Sequence, residues 1–306
     1  MKKNIITAIV GPTSTGKTKF ALKLAQEQLE SQKNISAVNI ISADSRQVYK
    51  HFETISGADI PAGFKRCRKK QFPHCLFQDS KLLIKIHGQS IINPDEEWSL
   101  AHYLQFARSI IKHSIESNES VIIVGGTGLY HNNLLNFDPN ITIKPNSTIR
   151  KQTKNMSVEK LQDWLKKINI PVFKKMNNSD SNNSRRLIRA IEISIAKEKN
   201  LVKNNNSGLK KLNIEIKTIK IEKQLNEIKK SIKKRVEQRF NSQTLKQIEM
   251  IRKKFPNLTL QAASSMGFKE MSDYLDKKIN MDGCKKSWIE REFKYAKRQI
   301  TWFKKK

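Results

Sequence analysis

Eight residues near the start of the chain, Gly11-Pro12-Thr13-Ser14-Thr15-Gly16-Lys17-Thr18, have the types and spacing to hold a phosphate chain. Such a loop lets successive backbone N–H groups converge on phosphate oxygens. Gly16 lets the backbone come close, and Lys17 adds a point charge to the bridging and terminal oxygens. Thr18 places a hydroxyl in the first helical turn, where Mg²⁺ usually sits. The helix N-terminus contributes its own partial positive charge. The bland alternative is a chance glycine-rich turn. The apolar run before the loop and the helical pattern after it argue against that. The motif specifies a diphosphate or triphosphate and leaves open which molecule carries it.

A second chemical segment is Ser42-Ala43-Asp44-Ser45-Arg46-Gln47. It follows a short apolar run, so Asp44 is expected at the carboxyl end of a strand. In an open parallel sheet, ligands sit outside those ends. There a carboxylate can hold Mg²⁺ through water or accept a proton from an attacking group. Alternatively, Asp44 caps the helix that follows. A third segment, Gly125-Gly126-Thr127, ends another apolar run. Its glycines permit close approach of backbone and ligand, and Thr127 offers a hydroxyl.

These segments need elements to position them. Ile5–Val10, Ala37–Ile41 and Val121–Val124 read as buried strands, and Thr18–Leu29 and Trp98–Ile111 as helices. Strands alternating with helices imply a parallel sheet covered on both faces. Residues 57–90 read as irregular. Residues 157–200 read as basic and helical, with polar loops at Asn177–Ser184 and Asn204–Gly208. Ile214–Ile221 reads as a late strand, and the chain is helical from there on. The expected fold is an α/β core interrupted by a helical insertion, then a basic helical C-terminal part. There is no internal repeat.

Bulk composition bears on the partner. Among 306 residues, 59 Lys and Arg against 28 Asp and Glu give a net charge of +31. The surplus is uneven: residues 1–140 carry 17 basic against 12 acidic residues, residues 141–306 carry 42 against 16. Compositional drift should touch both halves alike, so the asymmetry points to a polyanion bound by the second half. Cys67, Cys75 and Cys284 close no disulfide framework and fit no zinc spacing, which suggests a reducing, cytoplasmic setting. Lys2 and Lys3 precede an apolar stretch too short for a signal peptide, and no run is long enough to span a membrane.

Further blocks complete a pattern: Arg185-Arg186-Leu187-Ile188-Arg189-Ala190, Arg235-Val236-Glu237-Gln238-Arg239-Phe240, Met266-Gly267-Phe268-Lys269 and Ala296-Lys297-Arg298-Gln299-Ile300-Thr301-Trp302-Phe303. With the loop, the Asp44 segment and the Gly125 turn, in this order over nearly the whole chain, they resemble the tRNA dimethylallyltransferase (tRNA isopentenyltransferase) family. The resemblance implies a P-loop kinase-like core, residues 1–130 and 209–306, with a tRNA-contacting helical insertion at 131–208. It implies that dimethylallyl diphosphate is attacked by the exocyclic amine of the adenine 3′ to the anticodon, with the P-loop (Gly11, Pro12, Thr13, Ser14, Thr15, Gly16, Lys17 and Thr18) holding the diphosphate leaving group. Asp44 would be the base or positioner for the amine, and Thr127 would lie beside the target base. Arg235, or Arg239, would bind diphosphate, Thr18 would serve Mg²⁺, and Arg150 would sit near the substrate base. Ser45, Arg46, Gln47, Arg185, Arg186, Arg189, Lys297 and Arg298 are the remaining expected tRNA contacts.

The chain also departs from the family. A common His-His-Leu-Ile-Asp segment is absent, with Ile86, His87 and Ser90 at the corresponding positions. An Asn-Asp pair reads Asn182-Asn183, and a proline before Met266 is missing. Trp164, Trp288, Phe293, Tyr295, Trp302 and Phe303 could stack on bases or pack in helix cores; packing is favoured for Phe293 and Trp302. Three other readings remain: a nucleoside or nucleotide kinase, a non-catalytic nucleotide-gated RNA-binding protein, and prenyl transfer to free adenine nucleotides. The large basic half favours a polymeric acceptor; the enzyme is expected to be a monomer acting on tRNA.

Overall fold

Ile6 to Val10 are all buried, and a run this short, stopped by Gly11-Pro12, pairs its backbone in a sheet. In the computed structural model it is strand β1 (Asn4–Val10). The structure describes residues 4–32, 34–58, 61–66, 75–78, 83–135, 138–199 and 213–304. Lys2, Lys3, Cys67, His74 and the polar loop Asn204–Gly208 lie outside these. The described chain forms two compact units, Met1–Asn136 with Leu209–Lys306, and Phe137–Gly208.

In the first unit β1 leads through the P-loop into α1 (Lys17–Ser31) and β2 (Val38–Ser42). Then come α2 (Glu53–Ser56), β3 (Lys65–Arg66), β4 (Cys75–Gln78), β5 (Ile84–His87), α3 (Leu100–Glu116), β6 (Ser120–Gly125) and α4 (Gly128–Leu135). The strand order is β3-β4-β5-β2-β6-β1, with a late strand, β7 (Ile214–Lys220), at the β1 edge. From β5 to β7 every pairing is parallel, while β3 and β4 are added antiparallel at the far edge. One apolar layer joins Ile9, Ile40, Ile86 and Ile122 of the sheet to Ala21 and Ala25 of α1. Each such isoleucine contributes about 1.5–3 kcal/mol by leaving water.

The expectation of an irregular stretch over 57–90 is corrected by β5, an inner parallel strand beside β2. Its four residues alternate too briefly to register, and two of them are polar. Their partners lie inside: Lys85 pairs with Glu119 at 2.6 Å, and His87 meets Asn39 at 2.8 Å.

After β7 the unit is helical: α9 (Leu225–Arg239), α10 (Ser242–Lys254), α11 (Leu260–Ala263), α12 (Phe268–Leu275) and α13 (Met281–Lys304). Their core holds Ile228, Ile232, Val236, Ile248, Met271 and the fully buried Trp288, packed with Tyr49 and Phe52. Trp288 and Phe303, entertained above as base-stacking rings, are buried instead.

The second unit holds α5 (Ser147–Thr153), α6 (Val158–Lys174), α7 (Asn178–Ser181) and α8 (Ser184–Glu198) around Leu161, Leu165, Leu187 and Ile191. α6 is broken at Asn169 (φ −158°), whose side chain accepts from Val172 N–H just beyond Pro171, which has none to give. The Asn177–Ser184 stretch is not all loop, since Asn177 caps α7. Asn183 caps α8 by accepting from Arg186 N–H, and asparagine caps as well as the aspartate it replaces.

Candidate active site

Three neighbouring strands, β2, β6 and β1, end side by side, and each delivers one of the chemical segments. The chain leaves β1 into the P-loop, β2 into Asp44 and β6 into Gly125-Gly126-Thr127. Gly125 is required by closeness: a Cβ there would stand 2.2 Å from the Ala43 carbonyl oxygen, in the turn that carries Asp44. Thr127 N–H donates to that same carbonyl at 3.1 Å, and Ser45 N–H reaches Thr127 Oγ1 at 3.4 Å.

One cleft is lined by Ser14, Lys17, Thr18, Asp44, Gly126 and the paired arginines Arg235 and Arg239 of α9. Lys17 Nζ donates to the Pro12 carbonyl at 2.5 Å, which folds it over the loop. Burial depresses its pKa from 10.5 to about 8; Asp44 opposes the shift and Arg235 adds to it. Asp44 Oδ1 accepts from Arg46 N–H at 2.8 Å, which fixes the carboxylate in a tight turn and leaves Oδ2 as its other acceptor. Arg46 itself donates to the Gln261 carbonyl, and Gln261 returns a bond to the Ser45 carbonyl at 2.8 Å. Burial lowers the Arg46 pKa, with Asp44 opposing. Gln47 donates to the Gly57 carbonyl at 3.0 Å and accepts from Ser42 at 2.8 Å, so it braces the turn.

Two helices reach back to the loop. Arg235 Nη2 donates to Thr13 Oγ1 at 2.9 Å and to Glu292 of α13. Gln299 of α13 accepts from Thr13 N–H at 2.8 Å and donates to the Gly126 carbonyl at 3.0 Å, clipping the P-loop to the β6 turn. Tyr295, one turn earlier, lies near Thr127 and Gln299; burial pushes its hydroxyl up to about 12, with Asp44 next in effect. A neighbouring recess, lined by Ser45, Arg46, Arg291, Lys294, Tyr295 and Arg298, continues outward from the Asp44 turn.

The structure thus brings together the P-loop, Asp44, Ser45, Arg46, Gln47, Thr127, Arg235 and Arg298. Lys297 is exposed and stands over the Phe293 ring at 4.7 Å, and Arg298 stands over Tyr295 at 5.6 Å. Trp302 is 40% exposed and its indole lies against Gly128. In the other unit, Arg185 is exposed and Arg186 is paired with Asp180. Arg189 donates to the Asn140 and Ile143 carbonyls at 2.9 and 2.7 Å, an internal use of its guanidinium. Arg150 donates to Glu192 at 2.8 Å. Burial pushes the Glu192 pKa up, but hydrogen bonds from Arg150, Asn146 N–H and Arg189 outweigh it and hold the group below its ordinary value.

The substituted residues of the missing histidine segment are absorbed by the core. Ile86 is buried, His87 meets Asn39, and Ser90 donates to Glu53 at 2.5 Å. Glu292 and Gln299 were not foreseen as site residues, and Tyr295 was read only as a ring that could stack on a base or pack. The signal was present in α13, where the buried positions 284, 288, 292, 296, 299 and 303 trace one helical stripe. Glu and Gln on an otherwise apolar stripe call for buried partners.

Known proteins resemble this chain over nearly its whole length. The family described as IPP transferase matches residues 47–306, and the family described as isopentenyl transferase matches residues 4–74. A tRNA dimethylallyltransferase of Thermoanaerobacter sp. strain X514 is 29% identical, over 98% of this chain and 88% of its own length. Its counterpart in Flavobacterium johnsoniae is 28% identical, over 99% and 90%. Among solved structures, the tRNA isopentenylpyrophosphate transferase of Bacillus halodurans matches with TM-score 0.60 and 26% identity, over 100% of this chain and 88% of that one. A eukaryotic dimethylallyltransferase acting on tRNA shares the fold, with TM-score 0.73 and 20% identity over 98% and 70%. With the IPP transferase match spanning the chain from Gln47 to its last residue, this protein belongs to the IPP transferase family.

Proposed function

We propose that this chain transfers a dimethylallyl group from dimethylallyl diphosphate to the exocyclic N6 amine of the adenine 3′-adjacent to the anticodon in tRNA, and releases diphosphate. One observation carries the reading: a phosphate loop, a fixed carboxylate and a hydroxyl end three adjacent strands, and basic and aromatic residues of α13 flank them. A kinase needs the first two and has no use for the last.

The P-loop N–H groups, Lys17 and Arg235 hold the diphosphate as a leaving group. The allylic C–O bond breaks with its electron pair going to the diphosphate oxygen, and the amine nitrogen bonds the allylic carbon. The positive donors stabilise the charge that gathers on the leaving oxygen. Asp44 Oδ2 accepts a hydrogen bond from the amine and orients its lone pair; the proton the amine sheds passes to this carboxylate or to water. Thr127 and Tyr295 bound the side where the base enters.

Ser14 Oγ and Arg235 Nε are buried without a hydrogen-bond partner among the described residues, and they are donors that a diphosphate satisfies. Mg²⁺ fits the same place. Thr18 and Asp44 are hard oxygen donors on one cleft, and no cluster of three or more His, Cys, Asp or Glu exists among the described residues. That donor set suits a hydrated ion carried mainly by phosphate oxygens, with charge neutralisation as its contribution. Arg185, Arg186, Arg150, Lys297 and Arg298 supply contacts to the anticodon stem-loop, in a cytoplasmic enzyme acting as a monomer. No described helix is long and apolar enough to cross a membrane.

The test pairs labelled dimethylallyl diphosphate or γ-labelled ATP with unmodified tRNA or AMP. Label from the prenyl donor should appear in tRNA at the adenine beside the anticodon. Transfer of the γ-phosphate, or preference for AMP over tRNA, would overturn the assignment.

A further inference from the structure

Glu292 is an acid 4% exposed in the wall behind the diphosphate loop, and the reaction above assigns it nothing. A buried carboxylate is retained only when paired and hydrogen-bonded. Both of its oxygens are committed: Oε2 takes the Arg235 guanidinium, and Oε1 accepts from the Trp288 indole N–H at 2.8 Å. Trp288 is fully buried, its ring packed on Gly267, so the carboxylate cannot swing aside. The nitrogen of Arg235 that meets Glu292 is the same one that bonds Thr13 Oγ1 in the loop. The charge that Arg235 brings to the phosphate cleft is therefore already shared with a fixed anion.

We infer that Glu292 is a positioning residue that competes with diphosphate for Arg235. It steadies the guanidinium against the loop and weakens its hold on any anion bound there. This rests on the assignment of Arg235 to the diphosphate. A site that grips substrate and product equally gains nothing in turnover, and a full, uncompensated set of Lys17, Arg235 and Arg239 would hold the released diphosphate. Glu292 offsets one of those charges and favours release.

The experiment measures inhibition by inorganic diphosphate, together with single-turnover and steady-state transfer. Glu292→Gln removes the charge at nearly constant size. Its inhibition constant should fall about tenfold, the scale of one screened charge contact in a partly wet cleft. Single-turnover transfer, which stops before release, should change by less than the inhibition constant, and steady-state turnover should drop as release slows. Glu292→Asp, which only draws the carboxylate back, should move the constant the same way by less, and it carries the test if the glutamine variant does not fold. In an Arg235→Gln background, Glu292→Gln should no longer change the constant. An unchanged or raised constant in a folded Glu292 variant overturns the inference, as does an equal effect with Arg235 absent. The two assignments fail separately: if Arg235→Gln leaves diphosphate inhibition unaltered, Arg235 itself is misassigned.

Discussion

Lys17 sits between opposing influences, burial favouring its neutral form and Asp44 its charged one, and the balance leaves its pKa at about 8. Only the protonated amine attracts diphosphate. In the free enzyme, kcat/KM for the prenyl donor should therefore hold level below pH 8 and fall above it. Bound diphosphate favours the charged amine, so the matching fall in kcat should lie at higher pH. A pH profile of both quantities checks this; coincident limbs would place the titrating group elsewhere. Asp44 admits an equally sharp test. Its Oδ1 accepts from Arg46 N–H, a turn that asparagine makes equally well, so Asp44→Asn should preserve the local fold. If Oδ2 orients the amine and takes up its proton, single-turnover transfer should fall by roughly 10²-fold or more, with tRNA binding nearly intact. A near wild-type rate would leave the stabilisation of the leaving group as the source of catalysis.

The elements differ in how openly the sequence displays them. β1, β2 and β6 were legible because Ile6–Val10, Val38–Ser42 and Val121–Gly125 are buried throughout, and such runs mark inner parallel strands. The P-loop and Asp44 followed from them, since ligands gather where such strands end. β5 was not legible, because Lys85 and His87 look like surface residues until Glu119 and Asn39 are found inside. Glu292 and Gln299 were hidden in the same way: their partners, Arg235 and Thr13, are remote in sequence, and no local pattern names a partner. The Met266-Gly267 block was legible as a motif but not as a mechanism. Gly267 holds φ at 88°, and a Cβ there would stand 2.5 Å from the Trp288 ring. Gly267→Ala should destabilise the first unit by about 2–4 kcal/mol through backbone strain and overpacking together. Urea unfolding measures that loss. Because Trp288 anchors Glu292, the same variant should also disturb diphosphate inhibition; a purely local clash would leave inhibition alone.

At the scale of the whole molecule, the surplus of +31 has to be divided between charge that binds and charge that merely coats. How completely a guanidinium is used up inside the fold makes the division. Arg189 donates to the Asn140 and Ile143 carbonyls and to Glu192, so it acts as an internal brace. Arg298 is exposed beside the recess that leads out from Asp44, and Arg185 is exposed on the helical unit. If the basic second half holds tRNA, affinity should fall steeply as salt rises, because each neutralised phosphate releases counterion. Arg185→Gln and Arg298→Gln should each flatten the plot of log affinity against log salt by about one unit of slope or less, without loss of stability. Arg189→Gln should do the reverse. Its main effect should be to loosen the unit by removing the brace between α8 and the Asn140 and Ile143 carbonyls, with the salt slope following only as far as that unit unfolds. Lys17→Ala separates the two halves of the chemistry: it should cripple transfer and leave the salt slope where it was, since its charge serves the diphosphate cleft. Filter binding across a salt series, with melting curves for each variant, reads all four. A slope that none of the exposed arginines alters would mean the basic surplus is compositional, and tRNA would then have to be held by the recess and the Asp44 turn alone.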